Sequence, residues 1–183
     1  PDIIGSMFYI MAHVDGDIFW NSALPEIATS STRKAMYDEM NRVLASLHSV
    51  DVQSAGLSDY GKPGSYFERQ LSRWTKQYRA SELEHIKEIE ELISYLEANL
   101  PDDDGQVSLV HGDFRLDNMM FDMSDTKQPR VIAVLDWELS TLGHPYSDLA
   151  YQCMQLRLPS DIAHAAGLGG LDREALGIPS EKA

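Results

Sequence analysis

The chain has 183 residues, 43% of them hydrophobic and 24% charged, with 29 acidic against 15 basic side chains and a formal net charge of −14. That length supports one domain with a sizeable core, or part of a larger one, and the composition excludes collagen, wholesale disorder and a second full domain. The acidic surplus repels phosphate backbones, and no basic patch stands out in the sequence, so no nucleic-acid partner is expected.

The single cysteine, Cys153, cannot form an internal disulfide and lies in an apolar helical pattern. A packing role, a reducing compartment and a cytoplasmic location are therefore expected. The longest apolar runs, residues 7–12 and 131–135, fall far short of the ~20 residues that cross a bilayer, and no basic-plus-apolar leader precedes them. No membrane span or export is expected. The sequence opens on Pro1 inside a strand-like run, from which a missing N-terminal portion is expected.

In chain order, SMFYIMAHVDGDIF begins as a β-rich apolar run and meets the turn signal Asp15-Gly16-Asp17, which predicts a buried strand and a connector. Over residues 31–50, Met36, Met40, Val43, Leu44 and Leu47 recur at helical spacing and predict an amphipathic helix. Glycine, proline, serine and aspartate then mark residues 49–65 as loop. A second helix follows, with Phe67, Leu71, Trp74 and Tyr78 forming an aromatic stripe. The stripe reads as core packing, with the lining of a ligand pocket as the other use of such a stripe.

Ser81-Glu82-Leu83-Glu84 has the form of a capping box and predicts the start of a third helix, with Leu83, Ile86, Ile89, Ile93, Leu96 and Leu100 on its apolar face. Pro101 and the run Asp102-Asp103-Asp104-Gly105 end it, the aspartates reading as solvated turn residues and not as a metal site. Short strands are predicted at 107–110, 119–122 and 131–135, the last two joined by a hairpin-sized connection. Over residues 147–158, Leu149, Ala150, Cys153, Met154 and Leu156 restore a helical face that Pro159 closes. The glycine- and alanine-rich tail carries weak signals.

Polar residues crowd the ends of these strands: His111-Gly112-Asp113-Phe114-Arg115-Leu116-Asp117-Asn118, then Asp136-Trp137-Glu138. Buried carboxylates at strand ends are costly unless paired, hydrogen-bonded or bound to a cation, so a functional site is expected there. HGDFRLDN fits His-x-Asp-x-x-x-x-Asn, the spacing of a kinase catalytic loop, with a second acid after the next strand. In such a loop Asp113 reaches an incoming hydroxyl, while Asn118 and Asp136 share a divalent ion.

With LVHGDFRLDNMMF, VIAVLDWELSTLGHPYSDLAY and FYIMAHVDGDIF, the chain resembles the aminoglycoside phosphotransferase and choline kinase-like family of the protein kinase-like fold, most closely the phosphotransferase domains fused to acyl-CoA dehydrogenases. The resemblance implies an α+β fold: a mainly helical C-terminal lobe at residues 18–183, a few short strands at the catalytic loop, and residues 1–17 as the last strand of an N-terminal lobe and hinge. It implies an ATP-dependent kinase of small-molecule hydroxyls, with Mg²⁺ and ATP as cofactors and a hydroxyacyl-CoA or related hydroxy acid as acceptor. Asp113 becomes the catalytic base, Arg115 a stabiliser of the migrating phosphoryl group, Asn118 and Asp136 the metal ligands, and Glu138 a further metal-site acid.

His111 and Asp148 read as structural supports of the loops, Asp148 through backbone N–H groups. Met11, Ala12 and Val14 fit a hinge that meets adenine, or else an ordinary buried strand. His13, His48, His85 and His164 show no ligand spacing, so no zinc site is expected. The glycine-rich loop, strand lysine and helix glutamate of the covering lobe do not occur in this sequence, which predicts weak or no transfer by these residues alone. A metal-dependent phosphoesterase and a non-catalytic kinase-like binding module are the alternatives.

Overall fold

The computed structural model describes residues 3–62, 64–162 and 167–181; Pro1 and His164 lie outside the described residues. Among these, helices α1 (Ser30–His48), α2 (Tyr66–Ser81), α3 (Lys87–Ala98), α4 (Tyr146–Gln155) and α5 (Arg173–Leu176) accompany strands β1 (Ser108–Val110), β2 (Met119–Asp122), β3 (Arg130–Val134) and β4 (Thr141–Gly143). The fold is a mixture of helix and short strand. No helix among the described residues is long and apolar enough to cross a membrane.

The chain divides into two compact units. The first holds Pro1–Met40, Arg115–Leu135 and Arg157–Ala183. Its centre is the antiparallel β2–β3 hairpin, with Met119 opposite Val134 and a register shift between Met120 and Phe121. Asp17 adds an isolated antiparallel bridge to Phe121, with both backbone N–H···O bonds at 2.8 Å. Phe19, Leu24, Met36, Tyr37, Met40, Met119 and Phe121 are buried in this unit. Burial raises the pKa of the Tyr37 phenol, and its hydroxyl donates to the Ser22 carbonyl at 2.6 Å. Glu39, on the same helix, is buried as well and accepts the Val131 N–H at 3.0 Å, which anchors the first residues of β3.

The described residues 167–181 of the tail, weakly signalled in the sequence, belong to this unit. Leu168 and Ile178 are buried, Asp172 caps α5 by accepting the Ala175 N–H, and Arg33 donates to the Leu176 carbonyl at 2.6 Å. Gly177 ends α5 in the left-handed region at φ 76°.

The second unit holds Asn41–Phe114 and Asp136–Leu156. Here β1 pairs antiparallel with β4, Leu109 opposite Leu142. Strand β4 was not expected, because a three-residue segment ending in glycine carries too little periodicity. Leu44, Ile93, Val110, Phe114 and Leu142 are its buried apolar residues.

Several expectations are corrected. Residues 7–12 form no strand and are not buried: Met7, Tyr9 and Ile10 are more than 80% exposed. A β-prone run becomes a strand only where a neighbouring backbone pairs with it, and none does among the described residues. Ser81 opens no helix. It is the last residue of α2, and its hydroxyl donates back to the Gln77 and Tyr78 carbonyls, the local alternative open to serine at a helix end. Helix α3 starts six residues later, at Lys87, leaving Leu83 and Ile86 exposed and only Ile93 of its face buried. The expected apolar face of α4 is only partly covered: Leu149, Ala150 and Met154 are exposed, Cys153 and Leu156 are half-buried, and the residue that α4 buries is Asp148.

Gly177 and Gly56 both adopt positive φ, but a Cβ on Gly177 would meet the Ser30 carbonyl oxygen at 2.2 Å, whereas Gly56 has nothing within 4 Å. Gly56→Ala is therefore expected to cost about 1 kcal/mol through conformation alone, and Gly177→Ala about 2–4 kcal/mol, since backbone clash is added. Urea unfolding of the two variants measures the difference; equal losses would show that the contact at Ser30 yields freely.

Candidate active site

The HGDFRLDN segment begins where β1 ends. Val110 is fully buried, and the chain then turns at Gly112, whose φ of 88° few side-chain-bearing residues tolerate. A Cβ there would lie 2.8 Å from the Leu139 carbonyl oxygen, so the backbone of the loop runs directly against residue 139.

What fixes this turn is Asp148, in the first turn of α4 and fully buried. One carboxylate oxygen accepts the His111 N–H at 2.9 Å, and the other accepts the Gly112 N–H at 2.8 Å. The His48 ring, at the last residue of α1, completes the arrangement with Nε2 2.9 Å from the first of these oxygens. A carboxylate accepts and does not donate, so His48 Nε2 carries the proton in this contact. Hydrogen bonds to a charged acceptor are each worth about 1.5–3 kcal/mol net, which is how burial of this carboxylate is offset.

His111 is also fully buried. Its Nδ1 accepts the Asp113 N–H at 3.2 Å, and its ring lies 4.7 Å from Trp137 and 6.0 Å from Phe114, centroid to centroid. Asp113 is thereby held one residue beyond a doubly anchored turn and is itself half-buried.

In sequence, Asn118 stands just before β2 and Asp136 two positions after the end of β3. Asn118 directly precedes β2, and its carbonyl accepts the Leu135 N–H at 2.8 Å, immediately before Asp136. Asp136 has φ 63° and ψ 56°, a left-handed conformation rare outside glycine that aspartate adopts more readily than most and that clusters at functional sites. Arg115 is held through its Nε by Asp117. Asp136 and Glu138 are exposed, contrary to the expectation of buried carboxylates at these strand ends; the buried acid is Asp148. Met11 and Ala12 are exposed and Val14 is half-buried.

Two features escaped the sequence. His48, set aside as scattered, extends the stripe Met40–Leu44 by one more helical turn, and a histidine at the end of a buried stripe needs a polar partner there. The aromatic stripe of α2 is not core: no residue of that helix is buried, and Trp74 is 46% exposed. Phe67 and Trp74 instead line a cavity of about 210 Å³ together with Gln70, Gly112, Ser147 and Tyr151. Tyr66 borders it too; burial pushes its phenol pKa up, so it stays protonated at neutral pH.

The Asp103-Asp104 turn does more than face water. Asp103 accepts the Ser65 and Gly105 N–H groups, and Asp104 accepts from Gln106 and from His144, itself stacked 5.0 Å from Phe67. These hydrogen bonds lower the pKa of both carboxyls.

Comparison with known proteins shows the family. Acyl-CoA dehydrogenase family member 10 of Mus musculus is 46% identical over 97% of the chain, which spans 16% of that protein. Acyl-CoA dehydrogenase family member 11 of Rattus norvegicus is 50% identical over 81% of the chain, which spans 19% of that protein. The chain thus spans less than a fifth of the length of these relatives. A crystal structure from Ralstonia eutropha, provisionally described as an aminoglycoside phosphotransferase, is 50% identical with a TM-score of 0.86, covering 95% of this chain and 51% of that one. The macrolide 2′-phosphotransferase of Brachybacterium faecium shares the fold at 21% identity and a TM-score of 0.52, over 84% of this chain and 50% of its own. Residues 1–177 match the sequence profile of the phosphotransferase enzyme family, and the chain belongs to that family.

Proposed function

We propose that the chain forms the catalytic-loop portion of an ATP-dependent kinase that transfers the γ-phosphoryl group to the hydroxyl of a small molecule. The observation that carries this reading is the anchored loop that holds Asp113. Asp148 and His111 hold the backbone around Asp113, and within the hairpin the Asn118 carbonyl accepts the Leu135 N–H. Family membership supports it.

In this reading Asp113 accepts the proton of the acceptor hydroxyl and orients its oxygen, and Arg115 stabilises the negative charge of the phosphoryl group in flight. Asn118 and Asp136, with Glu138 as a further acid, offer only oxygen donors, the set that suits Mg²⁺ and not zinc. Bound there, Mg²⁺ supplies neutralisation of phosphate charge during transfer. Met11, Ala12 and Val14 serve as the hinge against adenine, and residues 18–183 as the C-terminal lobe, with phosphate-gripping elements supplied in cis by a preceding lobe. The similarity to acyl-CoA dehydrogenase family members favours a hydroxyacyl-CoA or related hydroxy acid as acceptor, because a domain joined to such an enzyme meets acyl thioesters.

Asp113→Asn keeps the side chain's size and removes its basicity. In the full-length protein it is expected to lower kcat about 10²–10⁴-fold with little change in KM for ATP, measured by ADP release and by mass spectrometry of the phosphorylated acceptor. A kcat within a few-fold of wild type would remove Asp113 from the base role. Phosphate release from a phosphoester without ATP would replace the kinase by a phosphoesterase.

Gly112→Ala combines positive φ with the clash at Leu139. It is expected to lower kcat by at least about tenfold, through displacement of Asp113, while fold content by circular dichroism persists. Wild-type kcat in this variant would mean that the turn does not position the base.

A further inference from the structure

The net charge of −14 hides a local reversal. Helix α2 carries Arg69, Arg73, Lys76 and Arg79 against one acid, Glu68. Of these, Arg79 is neutralised by two 2.7 Å bonds to Glu90 on α3. Arg73 and Lys76 make no ion pair with any described residue, in a chain with acids to spare. Positions 69, 73 and 76 are four and three residues apart, so the three cations share one helical face over roughly 10 Å of axis. They line an open groove of about 610 Å³ with Glu68 and Ser72. No run of consecutive basic residues marks this patch in the sequence; helical spacing assembles it from positions four and three apart.

Arg73 borders both this groove and the 210 Å³ cavity that Gly112, one residue before Asp113, also lines. Its guanidinium sits 5.5 Å from the centre of the Trp74 ring. An aromatic-walled cavity next to the loop and a row of positive charge without ion-pair partners thus meet at Arg73. A free hydroxy acid presents one carboxylate and has no use for such a row. A coenzyme A thioester presents a narrow acyl and pantetheine arm followed by a diphosphate and a ribose phosphate, which is the same order of apolar channel and then extended cation track.

Resting on the acceptor reading above, we infer that the Arg69–Arg73–Lys76 face of α2 seats the phosphate groups of a hydroxyacyl-CoA whose acyl end enters the cavity beside Gly112. The face then selects thioesters of coenzyme A over the same acyl group on a phosphate-free carrier, and its contribution weakens with salt because the cations are solvent-exposed or nearly so.

The test compares a hydroxyacyl-CoA with the matching hydroxyacyl-pantetheine, which lacks all the phosphates, in the full-length protein. Wild type is expected to show the lower KM for the coenzyme A thioester. The double variant Arg73→Gln, Lys76→Gln is expected to raise that KM about tenfold, as two exposed charge contacts of ordinary strength would, and to bring the two thioesters' KM values together. Lys76→Glu is expected to exceed the effect of neutralisation. An unchanged KM for the coenzyme A thioester in these variants, with phosphorylation intact, overturns the phosphate seat and leaves the kinase reading standing. A parallel rise in KM for ATP alone assigns the cations to the nucleotide and also overturns it. Failure of wild type to phosphorylate either thioester overturns the acceptor reading and this inference together.

Discussion

The loop that begins at His111 depends on one buried carboxylate. Asp148 is fully enclosed and accepts from the His111 N–H, the Gly112 N–H and the His48 ring, so each of its contacts pins something different: the loop's first residue, its turn, and the end of α1. A buried carboxylate stripped of such donors is expensive enough to reorganise its surroundings, and a turn that loses its acceptor leaves two backbone N–H groups orphaned. The two costs share a cause. The loop adopts its positive-φ turn because Asp148 is there, and Asp148 stays buried because the loop supplies donors. The close approach of Gly112 to the Leu139 backbone restrains the same turn from a second direction, and the contacts of the His111 ring with Phe114, edge-on, and with Trp137, tilted, restrain the side chain whose Nδ1 receives the Asp113 N–H.

What the sequence revealed and what it concealed divide along a physical line. Periodicity located α1, because Met36, Met40 and Leu44 face a core, and it located β1, β2 and β3. The His-x-Asp-x-x-x-x-Asn string and the acid after β3 were legible because fixed spacing along one segment is a one-dimensional property. The partnership of His48 with Asp148 joins residues 100 positions apart, and no local pattern encodes it. Strand β4 failed for a different reason: Thr141–Gly143 is too short to show alternation, and pairing with β1 makes it a strand. At Ser81 two local options compete for one hydroxyl. The capping box and the back-bond to Gln77 and Tyr78 both satisfy it, and the choice falls to the latter, so the Ser-x-x-Glu pattern misplaces the start of α3 by six residues.

The larger misreading concerns which apolar surface is core. Leu, Trp and Tyr at helical spacing predict burial because removing them from water is favourable by about 25 cal/mol per Å² of apolar surface. Helix α2 buries no residue, α3 buries only Ile93, and Leu92 and Tyr95 remain exposed beside them. Periodicity reports that a helix has an apolar face; it does not report what that face meets. In α2 it meets a cavity.

That difference bears on how the helix is held. With no buried side chain, α2 draws on polar and aromatic fastenings: the Asp103 carboxylate on the Ser65 N–H at its start, the Phe67 ring against His144, the close fit of Tyr66 over Gly143, and the paired Arg79–Glu90 bonds to α3 at its end. Fastening a helix at its ends leaves its middle unfilled. The middle is where Gln70, Arg73 and Trp74 face the cavity and where Arg69 and Lys76 continue the charge outward. An apolar contact that filled this space would stabilise the helix further and close the approach to Gly112. Exposed aromatic surface next to uncompensated cations is therefore the arrangement expected where a surface is kept open for a ligand with an apolar part and an anionic part.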